Sequence, residues 1–250
     1  MALRILLSND DGVDAPGLKA AARELRTIGN LVVVAPNSDQ SAVSHSLTIN
    51  RPLRIKKHNG YVYSVDGTPT DCVTLAFHQI LQKRRPQFVV SGINHGANMG
   101  EDVTYSGTVA AAIEGTIMGV PAIAASMINR DADNRAFRSA AKFIRRLITR
   151  VAGKMPPSTL LNINFPEMPR GGYRSYQITR LGKRTYTDII SVKTDPRGQE
   201  YFWIGGEPTW ERFKDTDARA VAKGMVSITP MNIDMTDESL VQAMREWPLR

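Results

Sequence analysis

The chain has 250 residues, 42% hydrophobic and 22% charged, with a net charge of +8, values ordinary for a soluble globular protein and a length suited to one large α/β domain or a domain with an appendage. Its single cysteine, Cys72, excludes an internal disulfide and points to a reducing compartment. The positive excess is uneven. Residues 128–250 carry 21 Lys and Arg against 14 Asp and Glu, residues 1–127 carry 11 against 10, and a basic half suits an anionic partner.

The opening "MALRILLSNDDG" turns polar too soon for a secretory leader, and Ile5 to Leu7 read as a short buried strand. A helix follows near "PGLKAAARELRTI", with Pro16 in its first turn and Gly29 at its end. "LVVVAP" reads as a β-branched strand, and "PLRIKKHNGYVYSVDG" as a hairpin turning at Asn59-Gly60. "GTPTDCVTLAFHQIL" begins a helix capped by Thr68, with Pro69 first and Asp71 closing a capping box. "FVVSGIN" is a buried strand, and a helix from about Gly107 to Met118 and the strand "PAIAAS" come next. The apolar stretch Thr108 to Ile128 has the length of a bilayer span, but Glu114, Gly119 and Pro121 break it into a helix and a strand of a soluble core.

In "AFRSAAKFIRRLITR", Phe137, Ala140, Ala141, Ile144, Leu147 and Ile148 share one helix face, and the basic residues read as the solvated opposite face. "LLNINF" returns a strand, and beyond Pro166 short strands with turn residues dominate. The pattern predicts a Rossmann-like α/β fold: a mostly parallel sheet with helices on both faces, plus a C-terminal β-rich arm. Residues 1–166 form the expected core, and residues 167–250 an arm or oligomerisation region that returns to it.

Ligands of such sheets bind beyond the carboxyl ends of the strands. Three loops meet that condition: "SNDDG", "APNSDQSAVSHSLT" and "SGINHGANMGEDVTYSGT". Asp10 and Asp11 supply two hard oxygen donors, although Asp-Gly is also ordinary turn chemistry. Ser41 and Asn94 add a hydroxyl and an amide carbonyl, a set suited to Mg2+, Mn2+ or Ca2+ rather than zinc. Ser106, Gly107 and Thr108 begin a helix whose free N–H groups favour phosphate, though a plain cap reads the same way. Gly92, Gly96 and Gly100 would let backbone approach a ligand. His45 and His95 are placed to touch substrate. His58 reads as exposed, His78 as helix core, and Cys72 as a buried small residue. Dinucleotide, P-loop, esterase-elbow and zinc-protease motifs are absent.

Taken together, "SNDDG", "AP....S....S.T", "GTP.DCV", "SGIN.G.N.G" and "YSGTV.AA.EG" resemble the SurE family of survival proteins, with "LNINFP" and "VSITPM.ID.T" continuing the match. The resemblance implies a metal-dependent nucleotidase that removes phosphate from nucleoside 5'-monophosphates and also 3'-monophosphates. It implies one divalent ion per subunit, Mg2+ or Mn2+, on Asp10, Asp11, Ser41 and Asn94, and a homodimer or homotetramer that exchanges its arm. Metal-assisted hydrolysis would then use Asp10 and Asp11 as catalytic groups, with Asn9, Asn94, Ser106, Gly107 and Thr108 on the substrate phosphate. A cytoplasmic enzyme with no membrane partner is expected. The rival readings are a short-chain polyphosphate or general phosphomonoester hydrolase, and a non-catalytic nucleotide- or nucleic-acid-binding module. Against nucleic acid, aromatics make up only 7% of the chain.

Overall fold

Strand β1 (Leu3–Ser8) is buried from Ile5 onward, as consecutive apolar residues must be in a sheet covered on both faces. The computed structural model describes residues 2–187, 190–205, 207–211 and 213–247. Helix α1 (Pro16–Leu25) starts on Pro16, where no N–H is needed, and buries Leu18, Ala21 and Leu25. Gly29 does not end that helix. It opens β2 (Gly29–Pro36), where a Cβ would come 2.2 Å from the Leu3 carbonyl oxygen on the neighbouring strand.

Strands β3 (Ile55–Lys57) and β4 (Val62–Val65) form the expected hairpin, its turn held by Asn59 Oδ1 accepting from the N–H groups of Tyr61 and Val62. Helix α2 (Pro69–Leu75) has the full Thr68–Asp71 capping box. A π-helical turn, Ala76–Ile80, extends it and puts His78 in solvent rather than in the core. Cys72 is buried, as read.

Next come β5 (Phe88–His95), α3 (Gly107–Ile117), β6 (Ala122–Met127), α4 (Asn134–Val151) and β7 (Leu160–Phe165). The apolar stripe of α4 is buried as its spacing predicts, with only Leu147 half-exposed. Among the described residues no helix is long and apolar enough to cross a membrane.

The remaining elements are β8 (Tyr176–Ile178), β9 (Arg184–Thr187), β10 (Ile190–Thr194), β11 (Glu200–Ile204), β12 (Glu207–Trp210), α5 (Asp217–Ala222), β13 (Val226–Met231) and α6 (Glu238–Arg245). The two helices were not expected from the strand-like composition. Thr216 caps α5, and Asp237 Oδ1 caps α6 by accepting the Leu240 N–H at 2.9 Å.

The main sheet runs β3-β4-β2-β1-β5-β6-β7-β13-β8. From β4 to β7 every neighbouring pair is parallel, while β13 lies antiparallel to β7. Helices α1 and α4 cover the face of Ile5, Leu7 and Val90, and α2 and α3 cover the face of Leu6, Val34 and Val89. Strand order reverses between β1 and β5, since β1 leads to β2 on one side and β5 to β6 on the other. That reversal opens a crevice at the carboxyl ends of β1 and β5.

Candidate metal and phosphate site

Three consecutive polar residues leave β1 into this crevice. Asn9 is fully buried; its amide nitrogen donates to the Gly12 carbonyl at 2.9 Å, and its Oδ1 has no hydrogen-bond partner. Gly12, at φ +96°, packs against Ser38, where a Cβ would meet the backbone at 3.3 Å. Asp10 is 4% exposed and accepts the Thr108 hydroxyl. A Cβ on Gly107 would lie 2.9 Å from Asp10 Cβ and 3.1 Å from its Oδ2, so the carboxylate rests on the first turn of α3. Burial pushes the Asp10 carboxyl up to about 6, with Thr108 opposing and the neighbouring Asp11 adding to the rise. Asp11 is also raised, chiefly by burial, while His95 pulls it down through Nδ1 at 3.4 Å from Oδ2. His95 in turn meets Phe137 of α4 edge-on, ring centroids 4.7 Å apart.

The pairing of β5 with β6 slips between Ser91 and Asn94, re-aiming the end of the strand. Asn94 uses its amide nitrogen on the Gly96 carbonyl at 2.9 Å, which leaves the carbonyl end of the side chain for another partner. Ser41 stands exposed on the loop after β2, donating its hydroxyl to Asp39 Oδ1 at 2.6 Å and keeping its lone pairs. Asp10, Ser41, Asn94, His95 and Ser106 line one cavity of about 650 Å³. Asp11 is linked to that cavity through His95.

Ser106 caps α3, its Oγ accepting the Val109 N–H at 3.1 Å, so Gly107 and Thr108 are the first helical residues, where N–H groups lack intrahelical acceptors. Thr108 spends its hydroxyl on Asp10. His45 lies apart from this cavity. Its Nε2 is 3.0 Å from Glu114 Oε2 on α3, and Thr74 donates to Glu114 Oε1 at 2.9 Å. His45 thus fastens its loop to the helix layer. Of the three spaced glycines, Gly92 and Gly100 are required by protein packing, where a Cβ would come 2.3 Å from the Ala125 oxygen and 2.8 Å from the Gly182 oxygen. Only Gly96 of the three lines the cavity.

Sequence reasoning missed Tyr105, Arg130 and Arg184, which complete the cavity wall. Applying the carboxyl-end rule to the loop after β6 would have found Arg130. Arg184 arrives from β9, held by an ion pair with Asp102 and by its backbone N–H on Glu101 Oε2 at 2.8 Å. Asp217, fully buried, accepts the N–H groups of Gly100 and Gly182 at 2.9 and 2.8 Å and locks this segment to the loop after β5.

No cluster of three or more His, Cys, Asp or Glu is placed for a metal among the described residues. Two carboxylates with a hydroxyl and an amide oxygen form a different, oxygen-only set that suits a hard divalent cation. Two observations fit such an ion: the buried Asp10 carboxylate is costly to ionise without a countercharge, and Asn9 Oδ1 beside it is orphaned.

The family model described as "Survival protein SurE" matches residues 5–188. A protein of Geobacter metallireducens named 5'-nucleotidase SurE is 48% identical over 248 residues, covering 98% of this chain and 97% of its own. Its namesake from Geotalea daltonii is 46% identical over 251 residues, covering 99% and 100%. The crystal structure of the SurE protein from Aquifex aeolicus superposes with a TM-score of 0.87 at 40% identity, covering 96% of this chain and 98% of that one.

Proposed function

This chain belongs to the SurE family, and from that premise we propose that it is a divalent-metal-dependent phosphatase of nucleoside 5'-monophosphates, and also of 3'-monophosphates. The buried Asp10 carboxylate, set beside Asp11 on the first turn of α3 in an oxygen-lined cavity, carries this reading. Asp10, Asp11, Ser41 and Asn94 would hold one Mg2+ or Mn2+ per subunit. Such an ion supplies positive charge to phosphoryl oxygens and acidifies water.

The chain's own residues do the rest. The N–H groups at the start of α3, Gly107 and Thr108 with the Ser106 cap, receive the phosphate where the helix dipole favours an anion. Asn94 orients it with its amide group, and Arg130 and Arg184 balance its charge from the cavity wall. Asn9, fully buried and bonded to the Gly12 carbonyl, holds the Asp10–Asp11 turn instead of touching phosphate. One of Asp10 and Asp11 orients the attacking water and takes its proton, which passes to the leaving nucleoside oxygen as the phosphorus–oxygen ester bond breaks. The enzyme works in the cytoplasm as a homodimer or homotetramer assembled through the C-terminal arm, whose β10–β11 hairpin is exposed along its whole length.

The test is phosphate release from 5'-AMP, 3'-AMP and short polyphosphate by chelator-stripped protein, with Mn2+ or Mg2+ added back. Release from the two nucleotides that vanishes on stripping and returns with metal is the expected result. Folded protein that hydrolyses no monophosphate with any divalent ion would overturn the proposal, and release from polyphosphate alone would replace the substrate.

A further inference from the structure

Helix α4 carries Arg135, Arg138, Lys142 and Arg146 at steps of three and four residues, a single stripe opposite its buried face. Like charges at this spacing repel, and those in the first turns also meet the positive end of the helix dipole. A freely solvated stripe would disperse that repulsion into water. Here it forms one wall of a cavity of about 510 Å³, with Arg174 on the opposite wall.

That opposite wall is held in place. The Arg146 guanidinium donates to the Tyr173 carbonyl at 2.8 Å, and Ser139 Oγ accepts the Tyr173 N–H at 3.3 Å. Tyr173 is 2% exposed, and its hydroxyl donates to the Pro166 carbonyl at 3.0 Å. Gly172, at φ +81°, approaches so closely that a Cβ would come 2.6 Å from Ser139 Oγ. The cleft is therefore preformed. No carboxylate lines it, and among the described residues none forms an ion pair with any of the five cations. The nearby Asp133 caps α4, accepting the Ala136 N–H at 2.7 Å.

We propose that this cleft is a binding site for a compact anion bearing several linked phosphates, separate from the cavity around Asp10. Five cationic side chains match the charge of a triphosphate, and guanidinium groups pair with phosphate oxygens two at a time. The walls offer no exposed aromatic face, since Tyr173 is buried, so the site reads the phosphate chain and not a base. The concave form, closed by the glycine turn, suits a short chain better than a nucleic-acid backbone tracking along a surface.

The experiment is calorimetric titration of the full chain with inorganic tripolyphosphate, ATP and AMP, in chelator at fixed ionic strength. The double variant Arg138→Glu/Lys142→Glu, both positions exposed, should lose about tenfold or more in affinity for tripolyphosphate and ATP alike. Its release of phosphate from 5'-AMP with metal should not change, so failure here is distinct from failure of the nucleotidase reading. The conservative Arg138→Lys/Lys142→Arg variant should keep the binding, which separates charge from damage to the fold. Unchanged tripolyphosphate affinity in the charge-reversed variant would overturn the site. So would a change of that affinity in Asp10→Asn alone, which would put the anion in the catalytic cavity. A protein that binds a single-stranded oligonucleotide but neither tripolyphosphate nor ATP would make this face a nucleic-acid surface instead.

Discussion

The carboxyl edge of β1 and β5 and the β10–β11 hairpin handle exposed chemistry in opposite ways. At the edge, each polar side chain is fixed by a hydrogen bond or ion pair: Asp10 and Asp11 to Thr108 and His95 of other elements, Asn9, Ser41, Asn94 and Ser106 within their own turns. On the hairpin, Phe202, Trp203 and Ile204 are 59, 64 and 85% exposed, and both strands are exposed throughout. One region is completed within the chain. The other presents an apolar surface that a single copy does not cover, yet Ile204 and Gly205, at the open end of the hairpin away from its turn, line the cavity around Asp10. The proposed chemistry is thus built by the monomer, while the entrance to it is shared with whatever covers the arm.

The sharpest way to break this division is Asp10→Asn. Activity on 5'-AMP should fall by at least about 10²–10³-fold, the scale of losing one preorganised charge-stabilising group. The urea midpoint should hold or rise, because a neutral amide relieves the ionisation cost of a buried carboxylate. Retained metal-dependent turnover would show that the carboxylate is structural. Gly107→Ala should come next. Its methyl would press on Asp10 from 2.9 Å, so we expect about a 10–100-fold loss of turnover and about 1–3 kcal/mol of overpacking cost. Wild-type kinetics in Gly107→Ala would mean that Asp10 does not depend on the seat provided by α3.

The opposite pole is probed by Phe202→Glu/Trp203→Glu. Analytical ultracentrifugation should show dissociation to a smaller species whose far-ultraviolet circular dichroism matches the wild type, because these side chains add nothing to the main core. KM for 5'-AMP should rise more than kcat falls if the covered arm shapes the cavity mouth. An unchanged sedimentation coefficient would leave the exposed hairpin without the self-partner proposed for it.

The same contrast explains what was legible in the sequence. Asp10 and Asp11 stood out because they end a short apolar strand, and Thr68 and Ser106 because caps are local chemistry. The parallel sheet followed from alternating apolar runs. Arg184 was not legible: its place in the cavity depends on Asp102, Asp217 and a crossing of the chain that no local pattern encodes. His45 was legible as a polar loop residue, but its partner Glu114 lies 69 positions away, so its neighbourhood was not. Gly29 was misplaced for a related reason. A glycine after a helix suggests a cap, whereas the constraint is contact with the Leu3 carbonyl on an adjacent strand. Local signals located the site's floor, and long-range register supplied its walls.

The smallest effect tests how the loop carrying Ser41 is anchored. Glu114 is buried, and burial alone would push its carboxyl up, but the hydrogen bonds from His45 and Thr74 outweigh it and hold the group below its usual 4.5. A carboxyl lowered in the folded state adds stability that is fully present above the unfolded value and is lost as pH falls through the folded one. Glu114→Gln keeps the shape and one acceptor but removes the charge. It should cost about 1 kcal/mol at neutral pH by urea denaturation. That difference should shrink as pH drops below 4.5, since the wild type then loses the same charge by protonation. A difference that stays constant through the acid limb would mean that the His45–Glu114 contact contributes by packing alone, and that the loop is held elsewhere.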